Sequence, residues 1–414
     1  MQLDVRYWAL LMSDTASGRQ TPYQTRLTRL THLTLWRTSA AALQIFLLLL
    51  GGLTAMAILL VATGHAVLPA LAALARGAFG SWYAITSATL VRMIPLGFAG
   101  LSVALAFRAG VLNIGAEGQL LMGAVAAASV MLPLRTLDPW IAIPMMIVAG
   151  GIAGALWSGV AGYLRLRYGV LEVISTIMLN FVALYVVGWL VRGPLQEPAR
   201  VNPQSMTLPA SLELPVLLSG SRLHAGIIML VLAALMAWWW LFRTASGFRV
   251  RAVGSSPSAA ASAGLIPVKK TIWVVFLVGG FLAGLGGAVE YLGVTFALYE
   301  SFSPGYGYTA IAVALLARNN PLGVLVAALL FGALEAGANA MQRDAEVPSV
   351  VVSVVEAVLI LLVVAADRWR VSHRDTPGHS SSDTVAGMPG ISSGSDSGQT
   401  SRGTSSNTVR AADK

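Results

Sequence analysis

Long apolar runs, each near the length of a membrane crossing, alternate with short polar or glycine-rich connections from residue 41 to residue 366. A helix needs about 20 mostly apolar residues to cross the hydrocarbon core, whereas a barrel strand alternates over about 10. The runs follow the first template, so an all-α integral membrane bundle is expected. Ten spans are predicted, near 41–63, 82–107, 116–133, 139–163, 170–191, 223–242, 271–293, 304–317, 321–340 and 347–366. Residues 1–40 read as a basic cytoplasmic extension and 41–370 as the membrane domain. Residues 371–414 are rich in Ser, Gly and Thr, with too little apolar surface to offset the entropy of folding, and read as a disordered cytoplasmic tail.

Composition agrees: 56% of the 414 residues are hydrophobic and 11% charged, with a mean hydropathy of +0.73. Cysteine is absent, which excludes disulfides and thiolate metal sites, and the five histidines are scattered without ligand spacing. The formal charge of +9 is read as cytoplasmic loops facing anionic lipid, with no nucleic-acid partner. The N-terminus shows no cleavable signal and is expected to stay inside. That orientation puts twelve basic residues in cytoplasmic segments after the first span: Arg108, Arg165, Arg167, Arg243, Arg249, Arg251, Lys269, Lys270, Arg318, Arg368, Arg370 and Arg374. Only six lie opposite (Arg76, Arg135, Arg192, Arg200, Arg222 and Arg343), so both termini are assigned to the cytoplasm.

Glycine spacing predicts close helix contacts. Gly150 and Gly154, and likewise Gly280 and Gly284, form small-xxx-small faces that let backbones approach where the hydrophobic effect gives no drive for association. The polar stretch FRAGVLNIGAEGQLLMGA, residues 107–124, is less expected between two spans. Gly110 and Gly115 permit a break in the backbone, which at membrane depth is tolerated only inside protein or beside a water-lined cavity. Asn113, Glu117 and Gln119 therefore border a substrate path or a buried turn, and Glu117 also suits the start of the third span electrostatically. Thr176 and Asn180 share one face of the fifth span, either joining helices or lining a path. Tyr306 and Tyr308, with Tyr299 and Phe302, offer rings suited to a nucleobase or sugar, or to an interfacial belt. Glu335 and Glu356 lie inside the ninth and tenth spans, and Arg92 is read as the one cation inside a span.

Between the sixth and seventh spans lies RTASGFRVRAVGSSPSAAASAGLIPVKK, residues 243–270. It contains a short helix with both ends written in: Ser256 as N-cap, Pro257 at the first position, alanines within, and Gly264 as the stop. This loop resembles the coupling loop of ribose- and nucleoside-type ABC importer permeases, through Arg251, Ala252, Val253, Gly254, Pro257, Ala259, Ala260, Ala263 and Gly264. The family's NIGAEGQ signature is similar to Asn113–Gln119, and VISTIMLN (173–180) and IAVALLARNNPLG (311–323) resemble further family blocks. Ser256 and Ser262 depart from the pattern, as does Arg318 followed by Asn319 and Asn320.

The resemblance implies a permease in the bacterial inner membrane that imports a nucleoside, or alternatively a simple sugar. It implies an ABC ATPase subunit as partner, coupled through Arg251, Gly254, Pro257, Ala259, Ala260 and Gly264, together with a second related permease and an extracytoplasmic solute-binding protein. No GxxxxGK[ST] loop occurs, so no cofactor is expected in this chain and ATP is spent by the partner. A proton-coupled secondary transporter using Glu335, Glu356 or Glu117 is the rival reading. The sequence shows no cluster of nucleophile, base and orienter to support an enzyme.

Overall fold

The computed structural model describes residues 50–348 together with Val354, Ala357, Val358 and Leu361. Among these, regular structure is helical, with three isolated bridges and no strand. The helices are α1 (Leu50–Ala62), α2 (Val67–Phe79), α3 (Leu90–Arg108), α4 (Ala116–Leu134), α5 (Pro139–Tyr168) and α6 (Glu172–Val191), then α7 (Gly226–Arg243), α8 (Ala245–Ser255), α9 (Pro257–Ser262), α10 (Val268–Glu290), α11 (Tyr306–Leu316) and α12 (Pro321–Asp344). A π-helical segment, Ala84–Thr89, leads into α3, and another, Tyr291–Thr295, extends α10.

Seven helices among the described residues are long and apolar enough to cross a membrane, matching the second to seventh and the ninth predicted spans. Their ends follow local chemistry. Asp138 caps α5 by accepting the Trp140 N–H at 2.9 Å, Pro139 occupies the first helical position, and Gly169 closes the helix at a φ of 69°. Asn320 caps α12 in the same way through the Leu322 N–H at 3.1 Å. The eighth predicted span corresponds to α11, which is a shorter apolar helix. Its helix has only 11 residues, about 16 Å at the α-helical rise and well short of the hydrocarbon thickness. The first predicted span is described only from Leu50 onward, and the tenth, with Glu356, lies outside the described residues apart from the four positions named above. So do residues 1–40 and 371–414.

Two helices occupy stretches read as loops. α2 has 13 residues, too few to register as a crossing, and buries Ala70 and Ala73 with Met56, Leu60, Ala338 and Met341 in a small core beside α12. α8 is capped by Thr244, whose hydroxyl accepts the Gly247 N–H at 3.1 Å. The connection 192–222 packs along residues 292–298, in and just beyond the π-helical extension of α10. Ser205 and Leu208 donate backbone N–H groups to Leu298 and Phe296, each at 2.7 Å, and Leu214 donates to Leu292 at 3.0 Å.

At the centre, α10 packs against α3, α4 and α5. The predicted glycine faces meet there: a Cβ on Gly154 would strike the Gly280 carbonyl, one on Gly284 the Gly150 carbonyl, and one on Gly123 the Gly284 backbone. These are backbone-to-backbone contacts, so no side-chain rotation relieves an added atom. Overpacking costs about 1–3 kcal/mol where neighbours can shift, and more where they cannot. Gly284→Leu should therefore leave little monodisperse protein on size-exclusion chromatography after detergent extraction, while the lipid-facing control Ile152→Leu, at an exposed position of α5, should elute as wild type.

Candidate functional site

The break between α3 and α4 is held together by the polar residues of the signature. The chain leaves α3 at Arg108 and turns at Gly110 with a φ of 71°, a conformation that favours glycine. Asn113 is buried, and its Oδ1 accepts the Gly115 N–H at 3.0 Å. The same oxygen accepts from Gln119 Nε2 at 3.0 Å, and Asn113 Nδ2 donates to Gln119 Oε1 at 3.2 Å, a reciprocal amide pair. Ser102 on α3 adds its hydroxyl to Gln119 Oε1 at 3.3 Å.

The first N–H groups of a helix have no partner within it. On α4 one of them, at Gly118, is met by Asn180 Oδ1 at 2.9 Å from the middle of α6. Asn180 Nδ2 meanwhile donates to the Ile114 carbonyl at 2.9 Å and lies 3.4 Å from the Tyr308 hydroxyl. One carboxamide thus satisfies a donor and an acceptor that the break exposes. Glu172 holds the other side, accepting the Leu112 N–H at 3.3 Å while paired with Arg165 at 2.6 Å.

Glu117 does not act on its own helix. Its Oε2 accepts the Gly307 N–H at 2.6 Å, at the start of α11, and Ser303 also hydrogen-bonds the carboxyl. A carboxylate at a helix N-terminus is favoured by the unpaired N–H groups and the helix dipole. The two helix starts approach so closely that a Cβ on Gly307 would strike the Glu117 backbone. Asn113, Glu117, Gln119, Asn180 and Tyr308 therefore converge on one seam. Thr176 packs beside Gly115 and spends its hydroxyl on the Glu172 carbonyl at 2.7 Å. Tyr306 is buried two positions from Tyr308, which remains 41% exposed.

The 243–270 connection docks on this same break. Gly254 of α8 sits against the Arg108 carbonyl and Ala109, with its backbone 3.4 Å from where a Cβ of Gly110 would lie. Arg108 and Arg251 flank the Phe242 ring at 5.5 and 5.3 Å from its centroid, a cation–π arrangement that steadies the junction. α9 forms as the sequence predicts: Ser256 Oγ accepts the Ala259 N–H at 3.3 Å, Ala260 is buried, and Gly264 closes the turn at a φ of 70°. Pro257 and Ala259 face outward, as does Leu265, at 86% exposure.

Sequence reasoning missed Glu290, which lies in the seventh predicted span and is buried at the junction of α10 with its π-helical extension. A count of every Asp, Glu, Lys and Arg within the predicted spans finds it.

Apolar spans, a helix broken between Arg108 and Ala116, and a half-length α11 whose start is capped from another helix define a multi-pass membrane permease. A family model described as "Branched-chain amino acid transport system / permease component" matches residues 85–364, and the chain belongs to that family. It is a transport protein rather than an enzyme, of a family that works with ATPase and solute-binding partners. The guanosine ABC transporter permease protein NupP of Bacillus subtilis is 38% identical over 319 residues, covering 76% of this chain and 90% of that protein. The glucose ABC transporter permease protein TsgB13 of Haloferax volcanii is 38% identical over 300 residues, covering 68% and 77%. The nucleoside ABC transporter permease protein NupB of Lactococcus lactis is 33% identical over 285 residues, covering 67% and 78%.

Proposed function

We propose that the chain is one of two unlike permease subunits of a nucleoside importer in a bacterial cytoplasmic membrane, driven by a separate ATPase and loaded by an extracytoplasmic solute-binding protein. Both termini face the cytoplasm, and the segment 296–305 descends to α11 so that the two together complete the eighth of ten crossings. α8 and α9 form the cytoplasmic face on which the ATPase acts, with Pro257, Ala259 and Leu265 as the contact surface and Ala260 as the anchor on the bundle side.

The observation that carries this reading is the seat of Gly254 on Arg108 and Ala109. Four residues after Ala109 the chain reaches Asn113, whose amide pair and neighbours hold the seam closed. A push on α9 thus enters the bundle at a place where side chains stand in for backbone hydrogen bonds. Movement there shifts the α4 start against α11 through Glu117 and Gly307. Tyr308 and Leu112, the exposed residues at the seam, line the path that opens, while Asn113, Gln119 and Asn180 form its latch.

Nucleosides rank above sugars because the match to NupP extends over nearly all of that protein. The test is uptake into proteoliposomes holding the permease pair, the ATPase and the binding protein. Guanosine should accumulate with ATP inside and no proton gradient, and should not accumulate with the gradient alone. Accumulation of glucose without guanosine would move the substrate to the sugars, and uptake driven by the gradient alone would sink the ATP-driven reading.

A further inference from the structure

We propose that Arg108 and Arg251, gathered on the Phe242 ring, bind the headgroup phosphate of an anionic phospholipid from the cytoplasmic leaflet. The side of the membrane rests on the importer reading above, and the site itself on the geometry of three helices. Arg108 closes α3, Phe242 is the penultimate residue of α7, and Arg251 lies within α8. The two guanidinium carbons lie 5.5 and 5.3 Å from the centroid of that one ring. Both side chains are half-buried, and the Nε of each is buried without a hydrogen-bond partner, so each keeps at least one donor unused.

Two like charges held against one ring repel, and the sequence supplies no acid alongside them. From Leu214 to Val289 the chain carries neither Asp nor Glu, while residues 243–270 carry Arg243, Arg249, Arg251, Lys269 and Lys270. The ion pairs Arg165–Glu172 and Arg192–Glu300 include neither arginine of the pair. A helix C-terminus accounts for Arg108 and Arg243, because the dipole there favours a cation. It does not account for Arg251, which stands before the last turn of α8. A guanidinium group is weakly hydrated and presents its donors in a fork that matches the oxygens of a phosphate. A phosphate is therefore the counterion that suits this pair.

The surroundings favour a lipid over a soluble anion. Leu232, Met236 and Trp239 are exposed and share one face of α7, which runs toward the exposed Arg243 at the helix end. Arg243 lies over the Trp238 ring, 5.7 Å from its centroid, and Trp240 Nε1 donates to Ser246 Oγ at 2.9 Å, tying the end of α7 to the start of α8. An apolar strip that ends in indole rings and cations matches an acyl chain below a charged headgroup, with tryptophan at the level of the interface. A free phosphate has no use for the strip. Arg251 precedes Gly254 by about one helical turn, so a lipid held here sits beside the seat of α8 on Arg108 and Ala109.

Isothermal titration calorimetry of the complete importer in neutral detergent tests the site with a short-chain phosphatidylglycerol, the phosphatidylcholine of the same chains, and glycerol phosphate, which carries the phosphate without the lipid. Phosphatidylglycerol should bind more tightly than either of the others. Arg251→Gln should weaken it about tenfold, the loss of one charge-assisted hydrogen bond, and Arg135→Gln, an exposed cation at the far end of α4, should leave it within about twofold. Arg251→Lys, which keeps the charge and loses the fork, should fall between. Equal binding of the two lipids, or unchanged affinity in Arg251→Gln, overturns the site. Glycerol phosphate binding as tightly as phosphatidylglycerol overturns the lipid as occupant. Phosphatidylglycerol binding that appears only when the ATPase is left out overturns it too, and gives the pair to an acidic side chain of that subunit. Should Arg251→Gln fail to assemble, Arg108→Gln carries the same comparison with the same criterion. No transport enters the measurement, so its failure leaves the guanosine result standing, and absence of guanosine accumulation overturns the nucleoside reading without touching the site.

Discussion

A Gly254→Val permease should still bind its ATPase and hydrolyse ATP, yet accumulate solute about 100-fold more slowly than wild type, a barrier increase of about 2.7 kcal/mol. The first side-chain atom at this position would overlap the Arg108 carbonyl and the Ala109 backbone. Neither can move without disturbing the turn at Gly110 and the end of α3. Overpacking of this kind costs about 1–3 kcal/mol, which is enough to lift α8 from its seat without unfolding a bundle whose main contacts lie elsewhere. Ser255→Val, one position along on the exposed side, is the control and should transport normally. Parallel measurement of uptake and ATP turnover in proteoliposomes decides the matter. Transport by Gly254→Val within about twofold of wild type would exclude the seat as a transmission point.

Asn180→Leu should be among the most destabilising single substitutions in the bundle. Leucine shares asparagine's branching and number of side-chain heavy atoms but is the bulkier residue, so the loss is chemical with a steric addition: the Gly118 N–H and the Ile114 carbonyl both go unpaired in a buried seam. At about 1–3 kcal/mol for each orphaned group, the cost sums to about 2–6 kcal/mol. Thermal unfolding of the purified permease should show a clearly lowered midpoint, and Asn180→Asp should lie between the two because it keeps the acceptor for Gly118. A wild-type midpoint for Asn180→Leu would mean that water or a neighbour replaces both bonds.

What could be read from the sequence divides by range. Seven of the ten spans, the α9 caps and the glycine faces are local periodic signals, and the described residues reproduce them because helices in a bilayer must satisfy their own backbone. The α2 helix escaped because its 13 residues fall below the length that a crossing requires. α8 escaped because Gly247, Gly254 and its arginines read as loop chemistry. The role of Glu117 illustrates the deeper limit. Sequence placed it correctly at a helix N-terminus, but the terminus it caps belongs to α11, 190 positions away. Asn180 likewise looked like a residue that either glues helices or lines a path. Its two partners, both main-chain groups of the break, become visible only when α6 is laid beside α4.

The backbone contacts among α4, α5 and α10 also bear on temperature. Lipid tails solvate an apolar side chain about as well as another helix does, so burial of surface contributes little to this association and its heat-capacity signature should be small. What remains is dispersion between closely approaching backbones, assisted by Cα–H···O contacts. Soluble cores loosen on cooling because the water-driven term fades. The centre of this permease is free of that dependence, and it should keep its packing in the cold for as long as the surrounding bilayer stays fluid.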